Sequence, residues 1–139
     1  MKYNRQVMSE FWDFVEKIDF DPAIKDAEAI KFNLLKQLSP NTAVKFNEIC
    51  NQLAYDLYAL FTSKNEPTLL YNCFNAISQG EEYYNMCIKK PDTVILTTSN
   101  NVHALNHFGN IFPNEDDYYE KLNSAATYSS YSTDDYDDI

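Results

Sequence analysis

Glycine is almost absent from this chain: among 139 residues, only Gly80 and Gly109 can take up the backbone conformations that side chains forbid. Antiparallel β architectures turn through tight hairpins that call on glycine repeatedly, so two glycines argue against a sandwich or barrel of many short strands. Helices joined by capped ends have no such need. The prolines agree with this, because Pro22 and Pro40 each follow a capping residue, Asp21 and Ser39, in the order that opens a helix. With 45% apolar and 15% aromatic residues, the chain has material for a core. Its length suits one domain that buries about two-thirds of its unfolded surface. The expected fold is an all-α, single-domain bundle of five or six helices over residues 1–122. A short extended segment near 93–99 and an acidic tail over 123–139 complete the expectation.

The periodicity places the helices. Phe11, Phe14, Val15 and Ile18 recur at i, i+3, i+4 and i+7, so a first helix is expected from Ser9, with Trp12 off that stripe and reaching a neighbouring element. A second helix should run from Asp21-Pro22 to about Leu38, turning Ile24, Ala27, Leu34 and Leu38 inward with Ile30 beside them. Ser39-Pro40 opens the longest helix, roughly Asn41 to Phe61, built on Ile49, Leu53, Leu57 and Leu60 with Phe46, Cys50 and Phe61 beside them. Thr68 to Ser78 reads as the next, on Leu70, Cys73, Phe74 and Ile77. Gly80 then provides a left-handed cap or a bend. A further helix should follow, because Glu81 and Glu82 suit a positive helix start, Lys89 and Lys90 suit its end, and Pro91 stops it. Thr93 to Asn101 is the best strand candidate, although a lone strand makes no sheet and an extended segment serves equally. Short helices are expected over Val102–Phe108 and Pro113–Leu122.

The formal charge of −10 is concentrated at one end. Residues 1–113 hold thirteen acids and ten bases, whereas residues 114–139 hold eight acids against the single Lys121. Such a surface repels nucleic acid and favours a basic protein partner. The N-terminus lacks the apolar stretch of a signal peptide, and no apolar run approaches the ~18 residues of a membrane span. A cytoplasmic setting is the expectation. Cys50, Cys73 and Cys87 are odd in number and fall in helical apolar runs, which reads as buried free thiols in a reducing compartment.

No catalytic constellation emerges. His103 and His107 share a helical spacing, but no third metal ligand accompanies them, and surface or capping histidines are the simpler reading. Glu81 and Glu82 diverge by about 100° on a helix, so they do not converge as an acid–base pair. The run Asp134, Asp135, Tyr136, Asp137, Asp138 lacks the spacing and glycine of a calcium loop. No nucleophile elbow or phosphate-cradling loop is present. No cofactor and no metal are expected.

The tyrosines carry more. Tyr118, Tyr119, Tyr128, Tyr131 and Tyr136, all in the last 22 residues, are interleaved with the acidic cluster formed by Glu115, Asp116, Asp117 and the terminal aspartates. Tyrosine provides contact area at low entropic cost, and carboxylates beside it pair with lysine and arginine on a partner.

Several motifs resemble a bacterial family of small proteins known only as a domain of unknown function. They are Phe11-Trp12, Leu38-Ser39-Pro40 with Phe46 after it, Ile77-Ser78-Gln79-Gly80 with Glu82 and Tyr84, and Pro91-Asp92-Thr93. The resemblance spans about residues 9–95 and implies a helical fold, with no activity, cofactor or catalytic residue attached. The chain departs from the family where Asn65-Glu66-Pro67-Thr68 replaces a Ser-Asp-Asp run, and where Asn75 stands in place of a tryptophan.

These readings lead to a non-enzymatic binding protein of the immunity or antitoxin kind, which blocks a basic partner through its acidic, tyrosine-bearing end. The alternative is a small enzyme or ligand-binding regulator with a pocket of Trp12, Gln79, Glu82 and Tyr84. A structural adaptor subunit is the third class.

Overall fold

The computed structural model describes residues 3–21, 27–62, 68–94 and 107–123. Among these the protein is an all-α bundle. The helices are α1 (Arg5–Lys17), α2 (Ala27–Gln37), α3 (Pro40–Tyr58), α4 (Leu69–Ile77), α5 (Glu81–Lys89) and α6 (115–123). Two 3-10 turns, Pro91–Thr93 and Phe108–Ile111, lie between α5 and α6.

The helix starts follow from capping chemistry. Helix α1 begins at Arg5 rather than at the expected Ser9, because Asn4 Oδ1 accepts the Val7 amide at 2.9 Å and so satisfies the first turn earlier in the chain. The buried face is also wider than the expected stripe: Phe11, Trp12 and Val15 are buried, while Phe14 and Ile18 are half-buried. Helix α3 starts where Ser39-Pro40 indicated, with Ser39 Oγ accepting the Thr42 amide at 3.3 Å. Of the expected start of α2, Asp21 is half-buried and outside any helix, while Pro22 and Ile24 lie outside the described residues. Helix α6 has a reciprocal cap. Asn114 Oδ1 accepts the Asp117 amide at 3.0 Å, and Asp117 Oδ2 accepts the Asn114 amide at 2.8 Å.

Helix α3 forms the middle of the bundle. It buries Phe46, Ile49, Cys50, Leu53 and Leu57, and it packs along α4. Each such aliphatic side chain contributes about 1.5–3 kcal/mol relative to exposure. It ends at Tyr58, three residues short of the expected Phe61, and this leaves Leu60 outside the core at 44% exposure. Helix α1 joins through rings, with Phe11 edge-on to Phe46 at 5.7 Å and stacked on Phe112 at 6.0 Å. The three cysteines are free and buried.

Helices α4 and α5 meet at Gly80. Its amide donates to the Ile77 carbonyl at 3.0 Å and its carbonyl accepts the Tyr84 amide at 3.0 Å, so one residue ends one helix and starts the next. The reversal needs φ +104° with ψ 169°, a region open in practice only to glycine. Glu81 and Glu82 occupy the first turn of α5 and Lys89 its last, as the charge pattern indicated. Pro91 then opens a 3-10 turn in which Thr93 Oγ1 donates to the Lys90 carbonyl at 2.7 Å. Thr93 belongs to this turn and Val94 is buried; the rest of the expected extended segment lies outside the described residues.

The Phe108–Ile111 turn fills the remaining space and touches α2, α3 and α4. Phe108 and Ile111 are fully buried. The Phe108 amide donates to Asn75 Oδ1 at 2.7 Å. Gly109 lies so close to Phe74 that a Cβ there would approach the ring to 2.6 Å. Most of the helix expected over Val102–Phe108 is outside the described residues.

Replacing Gly80 with alanine tests the α4–α5 junction. The nearest heavy atom to the new Cβ is 4.0 Å away, so any penalty comes from the backbone and not from a clash. We expect a loss of about 1–3 kcal/mol in denaturant unfolding, with the helical signal retained.

Candidate functional site

Two concave features stand out. The first is a groove of about 350 Å³ between α2 and α6. Helix α2 contributes Glu28, Lys31, Phe32 and Leu35, and α6 contributes Asp117, Glu120 and Lys121. Lys31 Nζ lies 3.0 Å from Asp117 Oδ2, and both side chains are largely shielded. The Tyr118 hydroxyl donates to the Leu38 carbonyl at 2.9 Å. Burial, and then the neighbouring Asp117 carboxylate, hold the Tyr118 phenol above its ordinary pKa. Asp117 and Tyr118 therefore fasten α6 to the end of α2.

The other described residues of the expected partner surface face outward: Glu115, Asp116 and Glu120 are exposed, and Tyr119 is 56% exposed. Leu122 at 65% and Phe32 at 60% join them as large apolar side chains left to solvent. Lys36 Nζ sits 4.4 Å from the centre of the Phe32 ring. Tyr128, Tyr131, Asp134, Asp135, Tyr136, Asp137 and Asp138 lie outside the described residues. Phe32 had a visible signal in the sequence, since it falls off the apolar face of its own helix. Leu122 had a weaker one, as an aliphatic in the most acidic part of the chain.

The second feature is a cavity of about 520 Å³ bounded by α1, α3 and α5. Trp12, Leu53, Tyr84 and Ile88 line it, with Tyr3, Met8 and Leu60 beside them and Asp56, Glu81 and Asn85 as its polar members. The Trp12 and Tyr84 rings lie 5.7 Å apart and are nearly buried, and the Tyr84 hydroxyl donates to the Leu53 carbonyl at 2.6 Å. Burial raises the Tyr84 phenol, and the Asp56 carboxylate adds to the effect. The Tyr3 hydroxyl donates to Glu48 Oε2. Desolvation first, then that hydrogen bond, push Tyr3 up to about 12.

The residues expected to form a pocket are thus only half assembled. Trp12 and Tyr84 meet here, whereas Gln79 and Glu82 are exposed and are not part of this cavity's lining. Helix α5 presents Glu81 in place of Glu82, because consecutive helical residues diverge by about 100°. Tyr83 beside it is half-buried and donates its hydroxyl to the Thr93 carbonyl at 2.8 Å.

His107 has a structural task. It is buried, stacks on Tyr71 at 4.7 Å and accepts the Gly109 amide on Nδ1 at 3.1 Å, capping the 3-10 turn. His103 lies outside the described residues. Among the described residues no group of three histidine, cysteine or acidic side chains is placed to hold a metal ion. Also among them, no helix is long and apolar enough to cross a membrane. No family model matches the chain, and no curated protein or solved structure matches it.

The raised phenols and thiols have a consequence for alkaline stability. Tyr3, Tyr84 and Tyr118 are held above 10.0, while burial lifts Cys50 above 9.0 and Cys73 to about 12. Below the unfolded values both states are neutral, so this contribution to stability is fully present. As pH rises through that range the unfolded chain ionises first and the contribution is lost. The denaturation midpoint should therefore hold steady up to about pH 9 and fall towards pH 12. Tyr84→Phe should make that fall shallower while losing about 1 kcal/mol at neutral pH, because the phenol's hydrogen bond to the Leu53 carbonyl is lost.

Proposed function

We propose that the protein is a non-enzymatic binding protein whose acidic, aromatic α2–α6 surface engages a basic protein partner. One observation carries this reading: Phe32, Tyr119 and Leu122 stay exposed on the two helices that bear Glu28, Glu115, Asp116 and Glu120. Dipole complementation at the start of α6 accounts for Glu115 and Asp116. It does not account for Glu120 one turn further on, nor for three large apolar side chains left unburied. Exposed apolar side chains on two adjoining helices where carboxylates outnumber lysines fit an interface, where aromatic anchors supply the contact area and carboxylates steer a cationic partner.

Within that reading, an immunity or antitoxin-like role, neutralising a basic bacterial toxin, suits the small size and the acidic end. The kinship to small bacterial helical proteins of unknown function belongs to the same proposal and rests on the shared motifs alone.

The test is affinity capture from a lysate of the native host, comparing wild type with an Asp116→Asn, Tyr119→Ala, Glu120→Lys triple variant. All three side chains are exposed, so circular dichroism should be unchanged. Wild type should retain a basic protein that the variant holds on the order of tenfold more weakly. A toxic partner should lose its toxicity when co-expressed with wild type and keep it with the variant. Identical retention by both proteins would exclude this surface as the interface.

A further inference from the structure

The cavity bounded by α1, α3 and α5 has a one-sided chemistry. Its inner wall is aromatic and aliphatic, from Trp12, Leu53, Tyr84 and Ile88. Among the described residues that line it, the charged members are Asp56 and Glu81, with no lysine, arginine or histidine. The Tyr84 hydroxyl is already committed to the Leu53 carbonyl, so this residue offers the cavity ring surface in place of a donor. An anion would meet two carboxylates there with no counter-charge. A neutral apolar group would cover the wall but leave the negative charge of Asp56, whose carboxylate accepts the neutral Gln52 amide at 2.8 Å, and of Glu81 without a counter-charge from the occupant.

The matching occupant has an apolar stem and a planar cationic head. Arginine fits best, because its guanidinium stacks on aromatic rings, pairs with carboxylates and is less strongly hydrated than an ammonium. A volume of about 520 Å³ exceeds what one such side chain fills and leaves room for the backbone that carries it. We propose that this cavity receives an arginine side chain presented by a polypeptide. The proposal rests on the reading of a basic protein partner, but it draws on α1, α3 and α5 and uses no residue of α6.

The chain carries its own probe. Trp12 is the single tryptophan and lines the cavity, so its fluorescence reports occupancy without a label. The full chain is titrated with acetyl-Gly-Arg-Gly-amide, with the counterpart in which uncharged citrulline replaces arginine, and with agmatine as a free guanidinium. The arginine peptide should give a saturable change. The citrulline peptide should bind about fivefold or more weakly. Asp56→Asn combined with Glu81→Gln should bring the arginine peptide down to the citrulline level; both side chains are exposed, so the fold is expected to be unaffected.

No saturable change, or equal binding of the two peptides, overturns the proposal. Agmatine binding more tightly than the arginine peptide overturns the polypeptide assignment and gives the cavity to a free guanidinium compound. The Asp116→Asn, Tyr119→Ala, Glu120→Lys variant should titrate like wild type. Failure at the α2–α6 surface and failure at this cavity are therefore read separately.

Discussion

The bundle depends on how the Phe108–Ile111 turn is driven between α2, α3 and α4. Four short-range arrangements fix it: the Phe108 amide on Asn75 Oδ1, the His107 ring flat against Tyr71, the His107 cap on Gly109, and Gly109 pressed against Phe74. Two of its residues, Phe108 and Ile111, then sit in the core. The arrangement leaves Asn75 Nδ2 buried without a hydrogen-bond partner among the described residues. An unsatisfied buried donor costs about 1–3 kcal/mol, so the bond on the other side of the same amide carries a structural penalty with it. That penalty is consistent with one function for Asn75: setting where an irregular segment docks on a regular helix.

Much of the fold was legible because it is written in local chemistry. Ser39-Pro40 marks the start of α3 and Gly80 marks the α4–α5 junction, and in each case a single residue type satisfies a backbone requirement that few others meet. Glu81, Glu82 and Lys89 fall where the helix dipole favours them. The errors arose where two local signals competed. Asn4 and Ser9 both cap well, and the apolar stripe after Ser9 concealed that Asn4 closes the turn. Leu60 matched the spacing of its helix, but the helix had already ended. The tertiary role of Asn75 left no local trace, since it depends on a partner 33 residues away.

The sites were less legible for a related reason. Sequence patterns report which residues share one helix face, while a cavity is made from faces of different helices. Trp12 and Tyr84 were singled out together, yet Asp56 and Leu60 enter only because α3 and the residues just after it line the same cavity as α1 and α5. The acidic run at the start of α6 read as one surface, but it divides by side-chain direction. Asp117 and Tyr118 turn inward to Lys31 and Leu38, while Asp116, Tyr119 and Glu120 turn out. Charge counting cannot make that division, because it depends on where α2 lies.

The three buried cysteines carry a consequence of their own. Burial lifts the Cys50 and Cys73 thiols, so the folded chain presents little of the thiolate that oxidants and disulfides attack. The fold itself acts as a protecting group, and the covalent state of these sulfurs becomes a record of whether the molecule has opened. An opened chain exposes three thiols, and whichever two pair, the third is left to join another molecule. Unfolding in an oxidising medium would therefore leave a covalent mark that refolding alone does not erase.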